Sequence, residues 1–222
     1  MRHLLLCFSL VTSATSAQAQ FMPEKLSPMG EKIAAAMQSD IRTADEKARD
    51  AERKPRQTLE FFGLKDDMKV VELVPAGGYF TKILGPVLKD KGKLYVTHPA
   101  GRYADAFQAT AKLPGMEKVQ QIGWGATGSG GGGAFGPSGK WEVEPVDLVL
   151  TFRNYHNFSP ADRAAVNRST FDALKPGGYY GIVDHTRRHN EPTTRENGRR
   201  VDPVLVIKEV QEAGFELVDF SN

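Results

Sequence analysis

Three short stretches of the chain hold residues whose types and spacing could do chemistry. Pro75-Ala76-Gly77-Gly78 follows the apolar run Val70 to Val74 and leads into a helical stretch where Thr81 is placed to act as cap. A helix N-terminus presents unpaired N–H groups and a partial positive charge, and a glycine turn lets a ligand approach the backbone with no Cβ in the way. Such a turn serves a ligand or serves packing alone, and the residues allow both. Gly78 is the position where backbone approach is expected.

The second stretch, Phe152-Arg153-Asn154-Tyr155-His156-Asn157, leaves another apolar run. Asn154 can hold a ligand by hydrogen bonds, and His156, with an ordinary pKa of about 6.5, can act as a base or can simply cap the loop. The third stretch is Asp184-His185-Thr186-Arg187, where Asp184 and His185 form a second proton-accepting pair, or Asp184 only caps a helix or pairs with Arg187. No paired-carboxylate, Ser-His-Asp or His-rich metal spacing competes with these, so no metal site is expected. The lone cysteine, Cys7, sits in the leader-like N-terminus, which excludes zinc-cysteine and cysteine-nucleophile chemistry for a chain that loses it.

The elements that must position these residues alternate. Short apolar strands "KVVELVP", "KLYVTHP", "KVQQIGW", "VDLVLTF" and "GYYGIVDHT" are separated by helical stretches, and "FELVDF" closes the series. That alternation predicts an α/β fold with a doubly wound parallel sheet. In such sheets ligands sit outside the carboxyl ends of the strands, which adds Thr97 and His98, after "KLYV", to the candidates. The last helix begins at Asp202 as N-cap with Pro203 next, and stops at Gly214.

Gly30 to Leu64 reads as one long amphipathic helix, with Ile33, Met37, Ile41 and Ala44 on one face, ending before Pro55. The glycine-rich run 123–139 reads as a mobile lid or plain spacer and lacks the Gly-Lys-Ser/Thr ending of a phosphate loop. Arg187 to Arg200 carries five arginines against two glutamates; it is a solvated loop in the plain reading and an anion-capturing segment in the sharper one.

A formal net charge of +2 with 25% charged residues and no basic arm argues against a nucleic-acid partner. Residues 1–19 have a positive start at Arg2, an apolar middle from Leu4 to Val11 and the Ala17-Gln18-Ala19 ending of a cleavable leader, with an apolar part too short to span a bilayer. The expected organisation is a signal peptide at 1–19, a helical extension at 20–55 and the main domain at 56–222, in a periplasmic or secreted protein.

From roughly Arg56 to Phe220 the sequence resembles the class I S-adenosylmethionine-dependent methyltransferases, and within them an exported bacterial branch of predicted methyltransferases. The resemblance is carried by "TLEFFGLKDDMKVVELVPAGGYFTKIL", "VDLVLTFRNYHNF", "ALKPGGYYGIVDHT" and "RVDPVLVIKEVQEAGFELV". It implies a Rossmann-like methyltransferase fold, S-adenosylmethionine as cofactor, and methyl transfer to an unidentified small-molecule acceptor. It places Glu72, Pro75, Ala76, Gly77, Gly78, Tyr79, Thr97, His98, Phe152 and Arg153 around the cofactor, with Asn154, His156, Asp184 and His185 as catalytic candidates. Tyr79, Phe80, Phe152 and Tyr155 are the aromatic rings that would face a cationic sulfonium.

The family's first motif reads acidic-x-G-x-G-x-G; here Glu72 is followed by Val74 and Ala76 at two glycine positions, and only Gly78 matches. After "KLYV" no acid stands for the ribose hydroxyls, so His98 or Asp105 would have to substitute. The alternative is therefore an exported non-catalytic binding protein or pseudoenzyme on the same fold. The family sheet also has an antiparallel strand between the fifth and sixth of the series, and only Ser221 and Asn222 follow "FELVDF". An incomplete C-terminal strand pair is expected, with either Phe215 to Phe220 pairing directly with "YYGIVDH" or an exposed edge that favours self-association.

Overall fold

The computed structural model describes residues 2–8, 26–124, 137 and 139–221. Most of the glycine-rich run, and the part of the leader-like segment with the small residues, lie outside the described residues. In chain order the elements are β1 (His3–Phe8), α1 (Pro28–Met37), α2 (Ala44–Ala48), α3 (Asp50–Arg53), α4 (Pro55–Phe61), β2 (Lys69–Leu73), α5 (Thr81–Leu88), β3 (Lys93–Thr97), α6 (Arg102–Ala111), β4 (Gln120–Gln121), β5 (Val146–Phe152), a 3-10 turn (Tyr155–Asn157), α7 (Pro160–Ala173), β6 (Leu174–Asp184), α8 (Pro203–Glu212) and β7 (Glu216–Ser221). The seven strands form one sheet in the order β4-β3-β2-β5-β6-β1-β7, and every pair is parallel.

The strands are continuous apolar runs because both faces of the sheet are covered. Val70, Leu94, Leu148 and Leu150 point into one core with Ile33, Leu59, Phe62 and Ile83 from the helices. Val71, Tyr95, Val149, Tyr180 and Ile182 point into the other with Val166, Val206 and Val210. Strand order runs outward from β2 to β4 and then returns through β5 to β6, so the switch lies between β2 and β5. A crevice opens there at the carboxyl ends of the strands.

The N-terminal region differs from the single long helix expected. Thr43 opens a new helix through a capping box, its hydroxyl accepting from the Glu46 N–H while the Glu46 carboxylate accepts from the Thr43 N–H. Lys54 then takes a left-handed φ of 44° and Pro55 starts α4. Local caps outweigh the apolar period here: Ile33 is fully buried, whereas Ala44 is exposed. Helix α1 packs against α4 and α5, so the extension is built into one core.

The slot beside β6 is also filled differently. β7 neither pairs with β6 nor hangs free: His3–Phe8 lies between them, parallel to both. Leu4 and Leu5 point to opposite faces and enter one core each. The edge that the sequence leaves open is thus closed by the segment that reads as the middle of a leader. The outer strand is β7, with Val218 and Phe220 exposed.

Candidate functional site

The turn after β2 carries an alternation of left-handed residues: Val74, Ala76 and Gly78 have φ of 52°, 49° and 76°. The two non-glycine residues at the family's glycine positions therefore keep glycine-like backbone, at a cost of about 1–2 kcal/mol each. The Val74 N–H donates to the Thr97 carbonyl (2.7 Å) and the Gly78 N–H to the Pro75 carbonyl (2.8 Å), which hold the turn. The two glycines do different work. A Cβ on Gly78 would lie 2.5 Å from Thr110 Cγ2 on α6, whereas one on Gly77 would meet nothing within 4 Å. Gly78 is required for packing against α6, and Gly77 is the residue whose backbone is open to a ligand. This reverses the expectation placed on Gly78.

Beneath the turn Glu72 is buried, and burial raises its carboxyl pKa to about 7 against the opposing hydrogen bond from Thr81. Thr81 Oγ1 donates to Glu72 Oε2 at 2.6 Å. Thr81 is thus not the helix cap; Phe80 holds that position without a side-chain bond.

β5 and β6 deliver the candidate proton-handling residues. Phe152 pairs with Val183 in register, so the exit loop of β5 meets the end of β6. Asp184, whose side chain is fully buried, accepts from the His156 N–H (2.9 Å), the His185 N–H (2.7 Å) and His156 Nδ1 (2.8 Å). The pair that forms is His156–Asp184 across two strands, not Asp184–His185 within one. Arg187 bonds Thr193 instead of Asp184. The His185 pKa is lowered, first by burial and then by the charge of Arg153, with Asp184 opposing. Asn154 differs from its expected role: its amide donates to the Val74 and Phe152 carbonyls, both at 3.0 Å, and so ties the β5 exit to the β2 turn.

These residues face one cavity of about 730 Å³ lined by Glu72, Pro75, Ala76, Gly77, Tyr79, Phe80, Phe152, Arg153, Asn154, His156 and His185, among others. Phe80 and Phe152 stack on its wall with centroids 3.5 Å apart. Tyr155 does not join them; it is buried in the core, hydrogen-bonded with Asn167. Thr97 and His98 also fall outside the lining. The Thr97 backbone carbonyl accepts from the Val74 N–H, and His98 turns its Nδ1 to the Pro99 carbonyl with its ring beside Phe107. Asp105 is exposed on α6, and on that side the cavity is lined by Arg102 and Tyr103.

Arg49 and Arg53, from the helical extension, line the same cavity and were missed by the sequence reading, as were Arg199 and Arg200 as cavity residues. Arg42 pairs with Asp50, with Nη1 at 2.8 Å from Oδ2, and the Tyr79 hydroxyl also donates to Asp50, which fastens the extension to the turn. The one available signal was the like-charge spacing of Arg49 and Arg53, four residues apart, which is unfavourable on a helix without a compensating purpose. Among the described residues no cluster of three metal-ligating side chains occurs, and no helix is long and apolar enough to cross a membrane.

No protein-family model matches the chain, and no curated protein matches it in sequence. Solved structures do match in fold. A SAM-dependent methyltransferase from Aquifex aeolicus superposes with a TM-score of 0.57 at 18% identity, covering 86% of this chain and 89% of that one. An O-methyltransferase of neocarzinostatin biosynthesis, in complex with S-adenosyl-L-homocysteine and 1,4-dihydroxy-2-naphthoic acid, gives 0.54 at 12% identity over 77% of this chain and 50% of its own. Human N-acetylserotonin methyltransferase in complex with SAM gives 0.53 at 14% identity over 85% and 51%. The chain has the fold of the SAM-dependent methyltransferases.

Proposed function

We propose that this chain is an S-adenosylmethionine-dependent methyltransferase that acts on a small-molecule acceptor, with His156 as the proton-accepting residue. The observation that carries the proposal is the meeting, on one cavity, of the left-handed 74–78 turn from β2 with the His156–Asp184 pair from β5 and β6. The residues fit the cofactor. Gly77 leaves an open backbone approach, and the Phe80–Phe152 stack offers aromatic surface to a sulfonium. Ala76, Gly77, Phe80 and Phe152 would hold it, with Arg102 and Tyr103 where a ribose acid is usual. When bound, S-adenosylmethionine supplies an electrophilic methyl group.

The protein's own contribution is alignment and proton removal. The buried carboxylate of Asp184 takes a proton donor at His156 Nδ1, which leaves Nε2 of the neutral ring as an acceptor for an acceptor hydroxyl or amine proton. Asn154 fixes the distance between this base and the turn by bonding the carbonyl of Val74. The second reading, a non-catalytic binding protein, is favoured by one observation: no carboxylate from the end of β3 reaches the cavity.

Export with cleavage after Ala19 belongs to the same proposal and rests on the leader pattern alone. It has a structural consequence, because the processed chain would lack β1. Mass spectrometry of protein recovered from its compartment distinguishes a chain beginning after Ala19 from one beginning at Met1.

Calorimetric titration of the purified protein with S-adenosylmethionine, S-adenosylhomocysteine and nicotinamide dinucleotides tests the cofactor assignment, and binding of none of the adenosyl compounds would sink it. Transfer of labelled methyl groups to a small-molecule extract then separates enzyme from binding protein. His156→Asn is expected to lower transfer about 100-fold with cofactor affinity kept; equal losses of both would make His156 structural.

A further inference from the structure

The cavity is unusually rich in arginine for a site expected to receive a cation. Arg49, Arg53, Arg102, Arg153, Arg199 and Arg200 line it, against the carboxylates of Glu46, Glu72 and Glu196. Two of those carboxylates are already satisfied. Glu46 is ion-paired with Lys82 at 2.7 Å, and Glu72 is held by Thr81 with its pKa raised by burial. Asp50, the acid nearest to the extension's arginines, is occupied by Arg42 and by the Tyr79 hydroxyl.

Among the described residues none of the six arginines is paired with a carboxylate, although Arg49, Arg102 and Arg200 donate to the Asp45 carbonyl, the Tyr103 hydroxyl and the Thr186 carbonyl. Arg53 is half-buried, lies with its guanidinium 4.4 Å from the Tyr79 ring centroid, and has a buried Nε with no hydrogen-bond partner among the described residues. Burial and then the neighbouring charges of Arg49 and Arg153 pull its pKa down, with Tyr79 and Glu52 opposing. Arg153 projects from a left-handed residue (φ 58°) beside the catalytic loop, and its side chain makes no hydrogen bond or ion pair among the described residues. Arg200 lies close enough for its charge to act on His185, as does that of Arg153, so the cationic cluster extends from the extension to the His156–Asp184 pair. Arg199 and Arg200 come from the arginine-rich run after β6.

We infer that the cavity takes an anionic acceptor, a carboxylate or phosphate ester, whose negative group is held by Arg53 and Arg153 with Arg200 while its reacting atom faces His156. The inference rests on the methyltransferase reading for the word acceptor, and on the arginine cluster alone for the anion. Half-buried guanidinium groups without partners recover their desolvation cost when a carboxylate or phosphate accepts two or more of their N–H donors. The other source of an anion at this place is the carboxylate of the cofactor itself, and the two are separable.

The test uses the full chain and three probes: inorganic phosphate, benzoate and the neutral isostere benzamide. Phosphate and benzoate are expected to raise the melting temperature and to bind in titrations that weaken with salt, and benzamide is expected to do neither. Arg153→Gln and Arg53→Gln should each weaken binding of the anions tenfold or more, and Arg53→Lys, which keeps the charge and loses the planar fork, should restore only part of it. If Arg53→Gln fails to fold, Arg153→Gln decides, because that side chain has no hydrogen-bond or ion-pair partner among the described residues to orphan. Equal binding of benzoate and benzamide, or anion binding unchanged in Arg153→Gln, overturns the inference.

Adenosylhomocysteine and methylthioadenosine, which lacks the amino-acid carboxylate, separate the two sources. Both should bind the arginine variants as they bind the parent; selective loss of adenosylhomocysteine would assign the arginines to the cofactor and overturn the inference. If adenosylhomocysteine fails to bind the parent while phosphate binding stays arginine-dependent, the methyltransferase reading falls and the anion subsite stands.

Discussion

Between Lys69 and Asp184 the sheet is assembled from strands that lie near one another in sequence and are covered on both faces, whereas β7 hangs on a strand drawn from the opposite end of the chain. β2, β3 and β5 are buried along nearly their whole length. β7 is largely exposed, with Val218 at 50% and Phe220 at 57%, and its pairing with β1 slips register between Leu4 and Leu5. All the cavity residues come from the first region, from the helical extension, or from the segment between β6 and α8. The site spans the ends of β2, β5 and β6; β2 and β5 pair away from the N-terminus, whereas β6, with Asp184, pairs with β1 on its other side. The β1–β7 edge and the turn after β2 do not pair with each other, so they can be perturbed by different changes.

Deleting residues 2–8 should have the largest effect. It removes Leu4 and Leu5 from two cores at once, about 4–10 kcal/mol by the usual cost of emptying buried leucine sites. That is a large share of the roughly 5–15 kcal/mol available to a domain. The melting temperature should fall sharply, and sedimentation should show association through the uncovered edge of β6. A shortened chain that melts with the parent and stays monomeric would erase the difference between the halves. A chain processed after Ala19 makes the same comparison.

Glu72 gives the next effect, on the site side. Its folded pKa of about 7 lies above the ordinary 4.5, so the folded state binds the proton more tightly than the unfolded one. The favourable contribution is complete below pH 4.5, where the acid is neutral in both states, and is lost as pH rises through about 7. The span is on the order of 3 kcal/mol. Glu72→Gln keeps an acceptor for Thr81 and should flatten the pH dependence of the melting temperature between pH 4.5 and 8; an unchanged slope would show that Glu72 is ionised when folded.

The paired glycines sharpen the contrast within the turn. Gly78→Ala should cost about 2–3 kcal/mol, from a Cβ pressed on Thr110 and a side chain at positive φ. Gly77→Ala should leave stability within about 0.5 kcal/mol and weaken adenosylhomocysteine binding instead. Loss of stability in Gly77→Ala with affinity untouched would move the ligand away from this turn. Ala76→Gly is expected to give a small gain, up to about 1 kcal/mol, from relief of its left-handed φ of 49°. A lower melting temperature would mean that the Ala76 methyl group contributes more by packing than its backbone costs.

What was legible in the sequence was local. Apolar runs bounded by turns gave the strands from β2 to β6, and Asp202 capped α8 as its spacing required, accepting from the Val204 and Leu205 N–H groups. The glycine turn and the exits of β5 and β6 share one cavity because the carboxyl ends of parallel strands share one edge whatever their order, while Thr97 and His98 at the end of β3 lie outside its lining. The sequence alone could not decide whether the run His3–Phe8 is a leader or a strand, since the same apolar residues suit either and only an available strand edge distinguishes them. Nor could it pair His156 with Asp184, 28 residues apart, or bring Arg53 to Arg153, because those meetings depend on strand register and on how the helical extension packs. Tertiary structure decided these: side chains distant in sequence share a cavity only when the sheet order, the crossover helices and the two cores fix the distance between them.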